Sequence, residues 1–168
     1  MTGRLPAQTL VEGILRVILV LLVLVLLGLA TDAIFRIHPY LEPPWSWTGI
    51  VPISLGVGLE ALGTRALSKY GAGSPHPRDP PKHLVVDGPY AYSRNPLYLA
   101  RFWILFGFSL LFGSEGILAM LVGLVLFVEF VLLPREERRL AGKYGERYTQ
   151  YSLKVGRWIL RIRTRRGI

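Results

Sequence analysis

Four long apolar stretches divide the chain, and polar or Pro- and Gly-rich segments separate them. The stretches cover residues 10–30, 48–67, 96–112 and 117–133. About 20 helical residues at ~1.5 Å each cross a hydrocarbon layer of ~30 Å, so the first two predict transmembrane helices. The last two are shorter and joined by a Gly-Ser-Glu-Gly turn, which predicts a tight, tilted or partly sheltered helical hairpin. The pattern predicts an all-α polytopic membrane protein with about four spans in one domain, residues 1–168.

The first two stretches each allow a second interpretation. The first stretch ends in small residues, as a signal peptide does before its cleavage site, although the apolar run is long for a signal peptide. The second follows Trp45 and Trp47, which are typical of the membrane interface, and it is rich in small residues that let helices approach closely. It also contains Glu60 and Arg65. Charges inside a span usually face protein or water, whereas Arg65 can also extend to the membrane surface.

Beyond the fourth stretch, an amphipathic helical pattern begins at Pro134. Its apolar and aromatic positions are Leu140, Tyr144, Tyr148 and Tyr151. Such a segment lies on the membrane face or folds back over it, and its stripe is equally compatible with core packing. The chain after Lys154 mixes basic residues with Trp158, Ile159 and Ile162, a pattern that suits a lipid-surface anchor.

Composition narrows the class of protein. Hydrophobic residues make up 51% of the chain, and the mean hydropathy is +0.39. Both values favour a membrane protein. Absence of Cys excludes disulfides and thiolate metal sites, and the three scattered His do not form a metal cluster, so no metal is expected.

The net charge of +9 is concentrated near the C-terminus, because eleven of the twenty Lys and Arg follow Leu133. In so apolar a chain, this favours contact with anionic membrane lipids over nucleic acid binding. The segment after the second stretch is also basic, with Lys69, Arg78, Lys82 and Arg94. Four spans put both basic segments on one side, so the positive-inside rule predicts both termini and the active site on the cytoplasmic side.

The polar segment 84–99 joins a Pro- and Gly-rich loop to the third stretch. Asn95 before Pro96 predicts an N-cap followed by a first-turn proline. The third helix should therefore begin near Pro96, with its free N–H groups and positive dipole end facing this segment.

Arginines and glutamates lie at matching depths in the hairpin. Residues level with each other in an antiparallel hairpin have a constant sum of residue numbers, which pairs Arg94 with Glu136 and Arg101 with Glu129. We expect both ion pairs, because unpaired charges in lipid are costly. The deeper pair suits a structural or a functional role, whereas the pair beside the polar segment indicates function.

An ordered set of short motifs runs from the polar segment to the amphipathic segment. The motifs are Leu84-Val85, Gly88-Pro89-Tyr90, Arg94-Asn95-Pro96, Tyr98, Glu136-Glu137, Tyr144-Gly145, Tyr148 and Tyr151. This set, over roughly residues 71–161, resembles the isoprenylcysteine carboxyl methyltransferase and phospholipid methyltransferase superfamily. These are integral-membrane enzymes that use S-adenosyl-L-methionine.

The resemblance implies a cytoplasmic cofactor pocket built from residues 82–98 and 134–158, with Arg94 and Glu136 as catalytic residues. The implied cofactor-binding residues are Leu84, Val85, Gly88, Tyr90, Asn95, Pro96, Leu97, Tyr98, Glu136 and Glu137. The implied reaction moves a methyl group to a lipophilic acceptor, an isoprenoid carboxylate or a lipid amine. Leu132 stands where the prenylcysteine branch has a substrate-binding Arg, so the acceptor stays open.

Two other functions fit parts of the pattern. Steroid-reductase-like membrane enzymes share a related C-terminal pattern but use NADPH, whose phosphate would favour more Arg around the loop. A non-catalytic lipid-binding scaffold would keep the helices without the chemistry. The chemistry of the methyl donor suits the residues better, because a helix start with Arg suits its carboxylate, and tyrosines suit its adenine and sulfonium.

Overall fold

The computed structural model describes residues 7–71 and 83–159, and within these ranges the regular structure is helical without a strand. The helices are α1 (Ala7–Phe35), α2 (Ile50–Ala66), α3 (Pro96–Phe112), α4 (Glu115–Phe127), α5 (Leu133–Tyr144) and α6 (Glu146–Lys154). Short 3-10 turns cover Trp45–Gly49 and Gly88–Ala91, and π-helical turns cover Leu67–Gly71 and Val128–Leu132. The predicted all-α class is confirmed.

Three helical runs in the described ranges are long and apolar enough to cross a membrane. They are Val11–Phe35, Trp45–Lys69 and Glu115–Tyr144. The shorter apolar helix α3 has the predicted bounds of the third stretch. Many large apolar side chains on these helices point outward, such as Leu19 on α1 and Val51 on α2, as expected of surfaces that face lipid.

Helix α3 lies between α2 and α4, and α1 packs against α4. Glycines allow these close approaches. A Cβ at Gly56 of α2 would lie 2.6 Å from the Ala100 carbonyl oxygen of α3. A Cβ at Gly28 of α1 would lie 2.6 Å from the Ile117 nitrogen of α4. The helices are therefore joined by backbone-to-backbone packing, which is the usual means of association in lipid.

The turn between α3 and α4 is fixed to the end of α1. Gly113 ends α3 in the left-handed conformation (φ 59°), and the Ser114 Oγ accepts a hydrogen bond from the Ile117 N–H at 3.0 Å. The Asp32 carboxylate accepts from the Gly116 N–H at 2.8 Å and from the Ser114 hydroxyl. This predicted turn lies at the opposite end of the bundle from the polar segment.

The helix of the fourth stretch does not break at Pro134, where the sequence pattern predicts a restart. The π-helical turn Val128–Leu132 carries the helix from α4 directly into α5, giving one run from Glu115 to Tyr144. A π-helical turn accommodates one extra residue, so it shifts the register of the residues that follow. The carboxylates of α5 are therefore displaced from the depths that an uninterrupted α-helix predicts.

Candidate functional site

The candidate site lies where α3 begins, α5 passes beside it, and the chain after α6 returns. The Gly156 carbonyl accepts a hydrogen bond from the Arg94 N–H at 3.0 Å. The Arg157 carbonyl accepts from the Ser93 hydroxyl at 3.0 Å and from the Asn95 Nδ2 at 3.1 Å. These bonds fix the end of the described chain to the start of α3.

Asn95 occupies the predicted N-cap position, and Pro96 is the first residue of α3. The expected capping bond is wrong, because the Asn95 side chain donates to the Arg157 carbonyl instead of accepting from the helix. The Asn95 N–H donates to the Ser93 Oγ at 3.0 Å. The tertiary position of Arg157, 62 residues away, therefore decides what Asn95 binds.

Two arginines and two glutamates form an outer ionic cluster, which consists of Arg94, Glu129, Glu137 and Arg157. Arg94 Nη1 lies 3.0 Å from Glu137 Oε1. Arg157 donates to both Glu137 oxygens, at 3.0 and 2.8 Å, and to Glu129 Oε1 at 2.6 Å. Hydrogen bonds to the Glu137 and Glu129 carboxylates raise the pKa of Arg157, so it stays charged. The cluster balances two positive with two negative charges.

Both ion pairs predicted for the hairpin are wrong. Arg94 pairs with Glu137, one residue beyond the predicted Glu136, as the extra residue of the π-helical turn requires. Arg101 pairs with Glu60, because α2 covers that face of α3. The Glu129 carboxylate instead binds Arg157 and accepts from the Trp158 Nε1 at 3.0 Å.

A second set of polar side chains, the inner polar cluster, consists of Glu60, Tyr98, Arg101 and Glu136. The Tyr98 hydroxyl donates to Glu136 Oε1 at 2.7 Å. Arg101 Nη2 donates to Glu60 Oε1 at 3.1 Å, and its guanidinium carbon lies 5.4 Å from the centroid of the Tyr98 ring. The cluster therefore connects α2, α3 and α5.

Tyrosines connect the polar segment to α6. Tyr148 accepts from Arg94 Nη1 at 3.1 Å, and the Tyr151 hydroxyl donates to the Tyr90 carbonyl at 2.6 Å. Burial raises the pKa of Tyr90, Tyr148 and Tyr151 above the ordinary tyrosine value. Their hydroxyls therefore stay protonated at neutral pH and keep these bonds.

A cleft of about 520 Å³ opens beside the outer ionic cluster, between α5 and α6. Its polar lining includes Arg94, Glu137, Tyr148, Ser152 and Arg157. This volume is within the range typical of small-molecule sites. Because the lining contains both positive and negative side chains and the Tyr148 ring, it suits a zwitterionic ligand.

The structure distributes the predicted site residues between the cleft and the layers behind it. Arg94 and Glu137 line the cleft, whereas Tyr98 and Glu136 belong to the inner polar cluster. Val85 and Tyr90 are buried with Ala66 and Leu67, and Leu97 packs on that group. Leu84 packs on Tyr148 and Tyr151, and Gly88 lies at an exposed turn with φ 62°. Asn95 bonds to Arg157, and Pro96 is fully buried.

The sequence pattern did not indicate Arg157, and it singled out Glu60 as a charge within a span without indicating its partner Arg101. Arg157 is one of many basic residues near the C-terminus, and its spacing carries no signal of two glutamate partners. Trp158, one of the predicted anchor residues, packs against the bundle with its ring centroid 5.4 Å from that of Phe102. Ile159 is exposed, and Ile162 lies outside the described residues, as do Arg78 and Lys82. Within the described ranges, no group of three His, Cys, Asp or Glu side chains could hold a metal ion.

The profile of a protein family described as phospholipid methyltransferase matches residues 45–147. This segment runs from the first turn before α2 into α6 and contains the whole inner polar cluster. No curated protein and no solved structure matches the chain.

Proposed function

Because the chain belongs to the phospholipid methyltransferase family, we propose that it transfers a methyl group from S-adenosyl-L-methionine to a lipophilic acceptor within the membrane. The acceptor class is an isoprenoid carboxylate or a lipid amine. The observation that carries the proposal is the cleft lined by Arg94, Glu137 and Tyr148. Arg94 and Glu137 belong to the segment that the family profile matches, and Tyr148 directly follows it.

The residues of the cleft fit the charges of the methyl donor. Arg94 lines the cleft, and a guanidinium has five N–H donors, so Arg94 could bind a ligand carboxylate while it keeps its bond to Glu137. Tyr148 offers a ring face for the adenine or the sulfonium. Glu136 accepts one described bond, from Tyr98, and retains capacity for the donor's ammonium or ribose.

The remaining predicted residues would form the walls of the donor site. Tyr90 and Leu97 hold the start of α3 against α2, and Gly88 provides the turn that precedes it. The backbone of Leu84 and Val85 would contact the donor from the polar segment. Asn95 and Pro96 would fix the helix start, whose free N–H groups favour a carboxylate.

When bound, S-adenosyl-L-methionine supplies a methyl group activated by a sulfonium. Transfer of a methyl group is an in-line displacement, so the protein contributes chiefly by positioning. Glu137 and Tyr148 hold Arg94 in place for an anionic group. Glu136 would accept a proton from an amine nucleophile, whereas a carboxylate nucleophile has none to release.

We propose that the site and both termini face the cytoplasm. The charges near the site are largely basic, including Arg135, Arg138 and Arg147 on α5 and α6, and they are exposed. Such residues favour the cytoplasmic side and its anionic lipids. The donor would then enter from water, and the acceptor from the bilayer.

Calorimetry on the purified chain in detergent tests the donor. We expect S-adenosyl-L-homocysteine to bind, and Glu136→Gln to weaken that binding at least about tenfold, or ~1.4 kcal/mol. Glu115→Gln is the control, because this exposed carboxylate lies at the opposite end of the bundle. Preference for NADPH would favour a reductase, and unchanged binding by Glu136→Gln would favour a scaffold.

A further inference from the structure

The ion pair between Glu60 of α2 and Arg101 of α3 lies within the apolar spans. Arg101 Nη2 is 3.1 Å from Glu60 Oε1, and each side chain is 22% exposed. Glu60 lies within the membrane-competent run Trp45–Lys69, and Arg101 lies more than one turn inside α3. Charged side chains at such depth are costly and typically mark a binding site or a pathway.

Neither partner uses its full hydrogen-bonding capacity. Glu60 Oε2 and Arg101 Nε are buried, and no described group bonds to either. A guanidinium has five N–H donors, and a carboxylate can accept several bonds. Polar atoms left without a hydrogen-bond partner in an apolar layer destabilise the folded protein. A pair that only joined two helices would be expected to satisfy these atoms.

Close packing already joins α2 and α3 on both sides of this pair. A Cβ at Gly56 would meet the Ala100 carbonyl oxygen at 2.6 Å, and a Cβ at Gly63 would meet Leu97 Cδ2 at the same distance. These glycines lie one turn before and one turn after Glu60. Helix association therefore does not explain why charges occupy this position.

The pair is one side chain away from the proposed reacting centre. The Arg101 guanidinium lies over the Tyr98 ring, and the Tyr98 hydroxyl bonds to Glu136 at 2.7 Å. Glu136 precedes Glu137, which lines the cleft. Tyr98 and Glu136 therefore connect the pair to α5, the helix that also carries Glu137 of the cleft.

We propose that Glu60 and Arg101 form the binding site for the polar head of the methyl acceptor, a lipid with an anionic group at or next to its nucleophile. This inference rests on the proposed function. Arg101 binds the anionic group, and Glu60 balances its charge and accepts hydrogen bonds from the head. The apolar chains of the lipid lie along the exposed face of α2, which includes Val57.

The step balances without a further reactant. The nucleophile forms a bond to the methyl carbon as the carbon–sulfur bond breaks, and the electron pair stays on sulfur. An amine nucleophile gives its proton to the Glu136 carboxylate.

The test measures acceptor binding and donor binding separately. The probes are dioleoyl phosphatidylethanolamine in lipid nanodiscs and farnesoic acid. In the first, the anionic phosphate lies next to the amine nucleophile, and in the second, the anionic carboxylate is itself the nucleophile. For the probe that the unaltered protein binds and methylates, we expect Glu60→Gln and Arg101→Gln to raise the KM for that probe at least about tenfold. The affinity of both variants for S-adenosyl-L-homocysteine should stay within about twofold of that of the unaltered protein. Arg65→Gln, an exposed position on the same helix, is the control.

The charge-swapped variant Glu60→Arg/Arg101→Glu separates binding from a structural role. We expect it to keep the thermal stability and the donor affinity of the unaltered protein but not the acceptor affinity, because the ligand's charges are fixed. Recovery of acceptor binding would overturn the proposal, as would binding of neither probe lipid by the unaltered protein. Failure to bind S-adenosyl-L-homocysteine would instead contradict the proposed function itself.

Discussion

At the scale of single residues, the geometry of the candidate site depends on Arg157. Its guanidinium bonds to Glu137 and Glu129, and its carbonyl bonds to Ser93 and Asn95. The side chain connects two positions of the fourth span, while the backbone connects to the start of α3. Arg157 therefore positions Glu137, which in turn holds Arg94 in the cleft.

We expect Arg157→Met to lower the free energy of unfolding by about 1–2 kcal/mol, because two carboxylates lose a charge-assisted partner. The estimate is modest since the Arg157 side chain is 37% exposed. Arg157→Lys should recover part of this loss but not the two-pronged geometry at Glu137. Denaturation in detergent measures the effect, and Arg147→Met on the exposed face of α6 is the control. Equal stability of the two Met variants would contradict the positioning role.

At the scale of elements, glycines on α2 decide how closely α3 can approach. A Cβ at Gly56 would lie 2.6 Å from both the Ala100 carbonyl oxygen and Ile104 Cγ1. At Gly58, no described atom lies within 4 Å of such a Cβ. The two glycines share a helix and lie two residues apart, so only one of them faces the neighbouring helix.

We expect Gly56→Ala to destabilise the protein by about 1–3 kcal/mol, because the new methyl group forces α2 away from α3. Gly58→Ala should be neutral or stabilising by up to ~1 kcal/mol, because alanine favours the helix. Thermal unfolding of both variants in the same detergent measures the difference. Similar melting temperatures would show that this contact does not determine the packing.

At the scale of the whole molecule, the site and the turn between α3 and α4 lie at opposite ends of the helices. The Tyr40 N–H donates to the Gly113 carbonyl at 2.9 Å, which places the segment before α2 beside that turn. The exposed residue His38 belongs to this end, and the exposed residue Gly142 belongs to the site end. A membrane between them would expose each to a different compartment.

Because the chain has no Cys, single cysteines report this topology directly. We expect a membrane-impermeant maleimide to label His38→Cys from outside intact cells. Gly142→Cys should react only after the membrane is opened, as the positive-inside rule predicts. Labelling of both positions from the same side would contradict the proposed topology.

The sequence by itself determined the elements, because apolar length and periodicity are local properties. It predicted the all-α class, the bounds of α3, the first helical residue Pro96 and a turn that begins at Gly113, although α4 begins at Glu115 rather than after Gly116. The family resemblance, which rests on short motifs in order, is confirmed by the profile over residues 45–147. The same resemblance predicted Arg94 and Glu137 as site residues, and both line one cleft.

Only the tertiary structure decided which charges pair. Arg94 binds Glu137 rather than Glu136 because a π-helical turn adds one residue to the fourth span, and no residue type marks that turn. Arg101 binds Glu60 because α2, not α4, covers its face of α3. Arg157 reaches Glu129 and Glu137 because α6 turns back on the bundle. A charge inside an apolar layer must find a partner, and its partner depends on which helix lies beside it.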